Sequence, residues 1–253
     1  MKKKYLMISI LIFAVAAVCA AAGIWQYLRQ QSAGEGYEGL RAEVGTGVPK
    51  EVPESEQESV ELPIDFDSLQ ARNPEAYAWI TIPGTAIDYP VLQSETDNTY
   101  YLTHTINGVE SPEGAIYTES YNSRDFEDPN TVIYGHDMAN GSMFQNLLNY
   151  QDRSFFDENR EVLIYTPDAI RHYRIFAAYL YDDRHLMQSF NFADKVSYRR
   201  YLESIFAVRE MGACIDTEQE VTGDDKIITM STCYGTQADK RYLVQAVLVS
   251  IEK

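Results

Sequence analysis

The stretch that decides the fold consists of two runs separated by a short polar segment: Ile227-Ile228-Thr229-Met230-Ser231-Thr232-Cys233 and Tyr242-Leu243-Val244-Gln245-Ala246-Val247-Leu248-Val249. Both runs are apolar and rich in β-formers, which predicts two strands joined by a turn. If they pair, Cys233 and Arg241 lie at the same end of a sheet. A cation lowers the pKa of a nearby thiol and can hold the oxyanion that forms when a thiolate attacks a carbonyl. The first hypothesis is therefore an acyl-transfer nucleophile.

The N-terminal residues predict an export or anchoring signal. Residues 1–4 are a basic tail, and residues 5–28 carry no charge. At about 1.5 Å per residue, 5–28 is long enough to cross a hydrocarbon core of about 30 Å. The lysines before it place the tail in the cytoplasm and the remaining chain outside the cell. A cleaved signal peptide with a site at Ala20–Ala22 and a lipid-modified Cys19 are the competing interpretations.

The rest of the chain divides into a linker and one domain. Residues 29–62 are predicted to be a flexible acidic linker, because Glu51–Ser59 cannot bury enough apolar surface to fold. Residues 63–253 are sufficient for one hydrophobic core. The net charge of −17 and the lack of a basic stripe exclude nucleic-acid binding.

Short β-type runs dominate the predicted domain, and they are separated by Gly, Pro and Asn. Strands are predicted at 79–82, 87–92, 114–117, 131–134, 162–165 and 172–181, with helices at 64–73, 142–148 and 194–206. Many closely spaced strands with few helices indicate a mostly β fold with peripheral helices, a barrel rather than a series of βαβ units.

His136 is the candidate partner of the thiol. It follows the predicted strand 131–134 and stands next to Gly135, and strand ends are where reacting groups are commonly presented. The other three histidines are predicted to be structural (His104 and His172) or a solvated loop residue (His185).

A non-catalytic interpretation competes with the enzyme. Cys214 lies in an apolar setting, and an extracellular location permits a Cys214–Cys233 disulfide, as in a binding domain without activity. The sequence contains no His or Cys pair at ligand spacing and no EF-hand pattern, so neither a metal site nor a cofactor is predicted.

The motifs resemble one known family. Thr229–Cys233 resembles the T-L-x-T-C signature of sortases, with Met230 where the family usually has Leu. Arg241 stands at the position of the family's arginine, and Tyr134–His136 is similar to its histidine segment. Four further stretches resemble class B sortases in particular: Asn73–Ile80, Thr85–Val91, Asp97–Leu102 and His136–Phe144. The S-x-G-C context of L,D-transpeptidases, another group of Cys–His cell-wall enzymes, is absent.

The resemblance implies a fold and roles for individual residues. It implies a closed eight-stranded barrel with an N-terminal helix and a helix before the last two strands. It also implies that Cys233 is the nucleophile, His136 the general acid and base, and Arg241 the clamp on oxyanion or substrate. Thr232 and Ser231 would help to bind the substrate.

The resemblance also implies partners and a location. The substrates would be surface proteins or pilins that carry a C-terminal sorting signal similar to N-P-x-T-N. The acceptor would be an amino group of the peptidoglycan precursor or of a pilin. The enzyme would be held in the membrane by its N-terminal helix, with the catalytic domain outside the cell.

Overall fold

A computed structural model describes residues 2–47, 62–235 and 237–253. Its helices are α1 (Lys2–Val44), α2 (Phe66–Arg72), α3 (Tyr100–Thr103), α4 (Arg153–Glu158), α5 (Leu186–Ser189) and α6 (Lys195–Phe206), with a 3₁₀ helix at Gln145–Gln151. Its strands are β1 (Ala76–Thr81), β2 (Asp88–Leu92), β3 (Ile116–Thr118), β4 (Asn130–Tyr134), β5 (Glu161–Thr166), β6 (Ala169–Asp182), β7 (Cys214–Ile215), β8 (Ile227–Tyr234) and β9 (Gln237–Glu252).

Eight strands close into the predicted barrel. Their order is β5-β1-β2-β3-β4-β8-β9-β6, and pairing between β5 and β6 closes the ring, while the two-residue β7 extends the sheet along β6. The β2–β3 and β4–β8 pairs are parallel, and the other pairs are antiparallel. Closure gives each of these eight strands a partner on both sides, whereas β7 pairs with β6 alone. The prediction of a mostly β fold with peripheral helices is confirmed.

The hydrophobic core has two layers. One contains fully buried residues such as Trp79, Phe144 and Ile164. The other packs α6 against the sheet through Tyr201 and its neighbours, with residues of β6, β8 and β9 on the facing side. Asp194 caps α6 by accepting from the Ser197 N–H at 2.8 Å, so the predicted helix at 194–206 is confirmed. The helix predicted at 142–148 is replaced by the 3₁₀ helix.

The N-terminal part differs from its prediction. Helix α1 runs through residues 29–44, which were assigned to the flexible linker, and its last turns bury Tyr37, Leu40 and Val44 against the barrel. These apolar residues recur every three to four positions, so tertiary packing outweighs the low helix propensity of Gly39 between them. Residues 48–61, the rest of the predicted linker, lie outside the described residues.

The predicted membrane anchor at 5–28 is not supported. Across the part of the chain that the structure describes, no helix combines the length and the apolar character needed to cross a membrane.

Asp88 joins the N-terminal segment to the barrel. Its carboxylate is buried on β2 and contacts donors on β1 and on residues 41–47: Trp79 Nε1 at 2.7 Å, Thr81 Oγ1 at 2.8 Å, Thr46 Oγ1 at 2.6 Å, Gly47 N at 3.0 Å and Arg41 Nε at 3.4 Å. A buried carboxylate is tolerated when hydrogen bonds and a cation replace its water. Residues 41–47 therefore form part of the folded domain.

Candidate active site

Cys233 lies at the exposed end of an otherwise buried strand. Residues 227–232 of β8 are buried and Cys233 is exposed. Side chains alternate between the two faces of a strand, so Cys233 shares its face with Ser231 and not with Thr232. The thiol is free. The strand thus presents an accessible sulfur on a rigid support.

Arg241 lies directly beside Cys233. The two residues are Cα partners in the antiparallel β8–β9 pair, which places their side chains side by side on one face. Arg241 Nη1 donates to the carbonyl oxygens of Ala238 and Lys240, both at 2.9 Å. These bonds hold the guanidinium at the β8–β9 connection, next to the thiol, as the sequence predicted.

His136 follows β4 and lies at the same end of the sheet as Cys233. Tyr134 is the parallel partner of Ser231, and Gly135 N donates to Ser231 O at 3.1 Å. The pairing therefore continues one residue beyond β4 and brings His136 to the end of β8 that carries Cys233.

A backbone carbonyl fixes the tautomer of His136. The ring Nε2 lies 2.7 Å from Leu102 O, and a carbonyl oxygen can only accept a hydrogen bond. Nε2 therefore carries a proton, and Nδ1 is the ring nitrogen that remains for proton exchange. Leu102 was not predicted to take part in the site, because its role comes from a backbone atom of a distant segment.

Gly135 and Asp137 support the histidine from either side. A Cβ on Gly135 would lie 2.5 Å from Ile116 Cδ1 and 2.7 Å from the Phe144 ring, so this position has no room for a side chain. The Asp137 carboxylate accepts from Gly235 N at 3.2 Å and ties the histidine segment to the β8–β9 connection. Gly135 was noted in the sequence as the neighbour of His136, whereas no role was predicted for Asp137.

Ser231 and Thr232 are both buried, at 6% and 2% exposure. Ser231 lies on the face of Cys233, whereas Thr232 points to the opposite face, where its Oγ1 has no hydrogen-bond partner among the described residues. Their role in substrate binding stays a prediction.

The disulfide alternative is not favoured. Cys214 and Cys233 are both free thiols in the structure. Cys214 is buried on β7, and burial raises its pKa. A buried thiol with a raised pKa is a poor nucleophile, whereas Cys233 is exposed beside a cation.

Two stacked tyrosines extend the site along β3 and β4. The rings of Tyr117 and Tyr134 lie 5.4 Å apart, and burial raises the pKa of both phenols. Glu119 and Cys233 raise the pKa of Tyr117 further and Arg241 lowers it, so this ring lies within electrostatic reach of the candidate catalytic residues. The site therefore has an uncharged aromatic wall, which no sequence motif indicated.

No group of three or more His, Cys, Asp or Glu side chains within residues 2–47, 62–235 and 237–253 is arranged to hold a metal ion. The chemistry available from the described geometry is that of a thiol, an imidazole and a guanidinium at one end of a barrel. That combination suits thiolate attack on a carbonyl, with proton transfer by the imidazole.

Several known proteins resemble this chain in sequence and in fold. The family model of the Sortase domain matches residues 80–249. Sortase B of Listeria monocytogenes is 33% identical over 189 residues, which is 74% of this chain and 74% of that protein. The solved structure of Clostridium perfringens sortase B is 29% identical, with a TM-score of 0.66 over 74% of this chain and 100% of that chain.

A third relative is a class B sortase of Streptococcus pyogenes involved in pilus biogenesis. Its solved structure is 31% identical, with a TM-score of 0.63, and the match covers 73% of this chain and 98% of that chain. The family match spans more than half of the chain, and these relatives are class B enzymes. The chain therefore belongs to the sortase family as a class B cysteine transpeptidase.

Proposed function

We propose that this transpeptidase cleaves a C-terminal sorting signal through a thioacyl intermediate on Cys233 and transfers the protein to an amino group. The observation that carries the proposal is the pairing of Cys233 with Arg241 at the barrel end to which β4 delivers His136. Three elements of a rigid barrel thus supply nucleophile, cation and acid–base group, and such positioning is a large part of catalysis.

In the first half-reaction, the Cys233 thiol gives its proton to Nδ1 of His136, and the resulting thiolate attacks the carbonyl carbon of the scissile peptide bond. A carbon–sulfur bond forms, and the electron pair of the C=O bond moves to the oxygen. Arg241 lies beside the sulfur and can donate N–H groups to that oxyanion. When the oxyanion collapses, the carbon–nitrogen bond breaks and His136 protonates the leaving amine.

In the second half-reaction, an acceptor amine attacks the thioacyl carbon. His136 accepts the proton of this amine, the new carbon–nitrogen bond forms, and the carbon–sulfur bond breaks to release Cys233. The Nε2 contact with Leu102 O supports exchange of this proton at Nδ1, because Nε2 stays engaged with the carbonyl. The acid of the first half-reaction is thereby restored.

We infer from the family that the donor is a surface protein with a sorting signal similar to N-P-x-T-N and that the acceptor belongs to the peptidoglycan precursor. A pilin is the second candidate for both roles, because the Streptococcus pyogenes relative is involved in pilus biogenesis. Ser231 is the better candidate for contact with the peptide, since it shares the face of Cys233.

Attachment to the outer face of the cell membrane through residues 5–28 stays a prediction of the sequence alone. Membrane fractionation of the full chain tests it, because extraction by carbonate without detergent would contradict an integral anchor.

A panel of sorting-signal peptides tests the function. We expect the enzyme to cleave one peptide class and to gain, on Cys233, the mass of the N-terminal fragment. Cys233→Ala should abolish both cleavage and the thioacyl adduct, without loss of folding, because Cys233 is exposed. Cys214→Ala is the matched control and should retain the adduct. Cleavage by the Cys233→Ala variant would contradict the proposal.

A further inference from the structure

Two side-chain contacts join the segment after β6 to the residues that follow β3. His185 Nε2 lies 2.7 Å from Glu119 Oε2, and Gln188 Nε2 donates to Tyr121 OH at 3.0 Å. His185 stands at the N-cap position of the short helix α5, and Leu186 of this helix is buried in the core layer that contains Tyr201. Residues 183–189 are therefore fastened to the barrel by Glu119. The prediction of a solvated loop residue at position 185 is wrong.

Glu119 connects this segment to the wall of the active site. Its Oε2 atom also accepts from Tyr134 OH at 3.2 Å, and Tyr134 precedes His136 by two residues. The His185 ring lies 6.4 Å from the Tyr134 ring and 5.4 Å from the Tyr121 ring. One carboxylate thus holds a tyrosine of the active-site wall and a histidine of the segment beside it.

The environment of this pair favours a strong contact. The Glu119 side chain is 12% exposed and the His185 side chain 29%, so water screens the pair less than it screens a surface ion pair. The Nδ1 atom of His185 is buried without a hydrogen-bond partner among the described residues. A buried polar atom without a partner is costly, so the contact with Glu119 is the hydrogen bond that holds this ring in place.

We propose that Glu119 and His185 are positioning residues that hold segment 183–189 as one wall of the groove for the sorting peptide. The pair then governs how tightly the peptide binds and leaves the chemical step to Cys233, His136 and Arg241. This inference rests on the proposed function, because it concerns the peptide that the enzyme cleaves. It predicts an effect on KM at unchanged kcat, which is the signature of binding that is equal in ground and transition states.

The chain offers a matched control pair on its surface. His172 Nδ1 lies 3.3 Å from Glu161 Oε1 across β5 and β6, away from β4 and β8. The substitutions Glu119→Gln, His185→Gln and the double variant remove the proposed pair. Glu161→Gln and His172→Gln remove the control pair by the same chemistry.

Steady-state cleavage of the sorting peptide is the first measurement. We expect Glu119→Gln and His185→Gln each to raise KM about tenfold, with kcat within about twofold, and the double variant to be no worse than either single variant. The two control variants should match the unmutated enzyme. Additive effects, or a fall in kcat at constant KM, would overturn the inference.

Hydrogen exchange tests the same inference without substrate. The amides of Gln188, Ser189 and Phe190 donate to the carbonyls of His185 and Leu186. Glu119→Gln should speed their exchange about tenfold, whereas Glu161→Gln should not. If Glu119→Gln does not fold, His185→Gln is used for both the cleavage kinetics and the hydrogen exchange. Unchanged exchange overturns this inference, whereas absence of peptide cleavage by the unmutated enzyme counts against the proposed function.

Discussion

Two polar clusters at different places on the barrel differ in how their hydrogen bonds are used. Around Asp88, donors from β1 and from residues 41–47 all converge on one buried carboxylate. Around Cys233, the thiol is exposed, and the cation and the imidazole contact backbone carbonyls. In the first cluster, the polar groups bond to one another and hold two segments together. The second keeps its reactive atoms available for a substrate.

Unpaired polar atoms reinforce this contrast. Three buried hydroxyls lack a hydrogen-bond partner among the described residues and lie on β6, β8 and β9 near the end of the sheet that carries Cys233: Tyr181 Oη, Thr232 Oγ1 and Tyr242 Oη. Buried polar groups are nearly always paired in folded proteins, and exceptions concentrate where function requires them. The end of the sheet that carries Cys233 therefore contains unpaired hydroxyls, whereas the Asp88 carboxylate accepts from several donors.

The largest expected effect is the difference in labelling rate between the thiols of Cys233 and Cys214. We expect iodoacetamide at pH 8 to label Cys233 at least about 10⁴-fold faster than Cys214. Labelling of the buried Cys214 requires transient opening of the folded domain. Burial raises the pKa of Cys214, so less of its reactive thiolate is present at this pH. Peptide mapping by mass spectrometry measures both rates. A crosslinked Cys214–Cys233 peptide would be incompatible with the structure.

Arg241→Lys tests whether the catalytic cluster needs a guanidinium or only a positive charge. We expect kcat/KM to fall about 10²- to 10³-fold, because an ammonium does not reproduce the planar set of donors at a developing oxyanion. Lys240→Ala is the control, since it removes the neighbouring cation and leaves the guanidinium in place. Turnover near that of the unmutated enzyme in Arg241→Lys would refute the clamp role.

Local patterns predicted that the candidate site residues lie close together, whereas their catalytic roles stay a prediction. The run 227–233 ends on Cys233 and the following apolar run starts after Arg241, so pairing of neighbouring strands was enough to bring the two side chains together. The strand before His136 and the amphipathic helix before the last strands were equally visible in the hydrophobic pattern. The closed barrel itself was implied by the family resemblance, because alternation within strands does not specify which strands pair across the ring.

Contacts between distant segments were not predictable in the same way. Residues 37–47 lack the composition of a core element, and they are ordered by burial of Tyr37 and Leu40 and by donors to Asp88. The Glu119–His185 pair likewise joins residues far apart in sequence that belong to no motif. Such contacts depend on the assembled fold, whereas strand and turn signals act within a few residues.

Asp88→Ala tests the cluster around Asp88 and should have a much smaller effect on activity than Arg241→Lys. Removal of the carboxylate leaves buried donors such as Trp79 Nε1 and Thr81 Oγ1 unpaired, which we expect to cost about 2–3 kcal/mol in the free energy of unfolding. Chemical denaturation measures this cost, and peptide cleavage per folded molecule should stay unchanged, because Asp88 lies on β2 and outside the catalytic cluster.

Asp65→Ala supplies the matched control. This carboxylate is exposed and caps α2 by accepting from Ser68 N at 3.0 Å, so its loss should lower the free energy of unfolding less than the loss of the buried Asp88 carboxylate. The difference between the two variants then measures what burial adds to a carboxylate with several donors. An equal loss in both would mean that residues 41–47 contribute little to the fold. A fall in kcat for Asp88→Ala would show that the two clusters are coupled through the barrel.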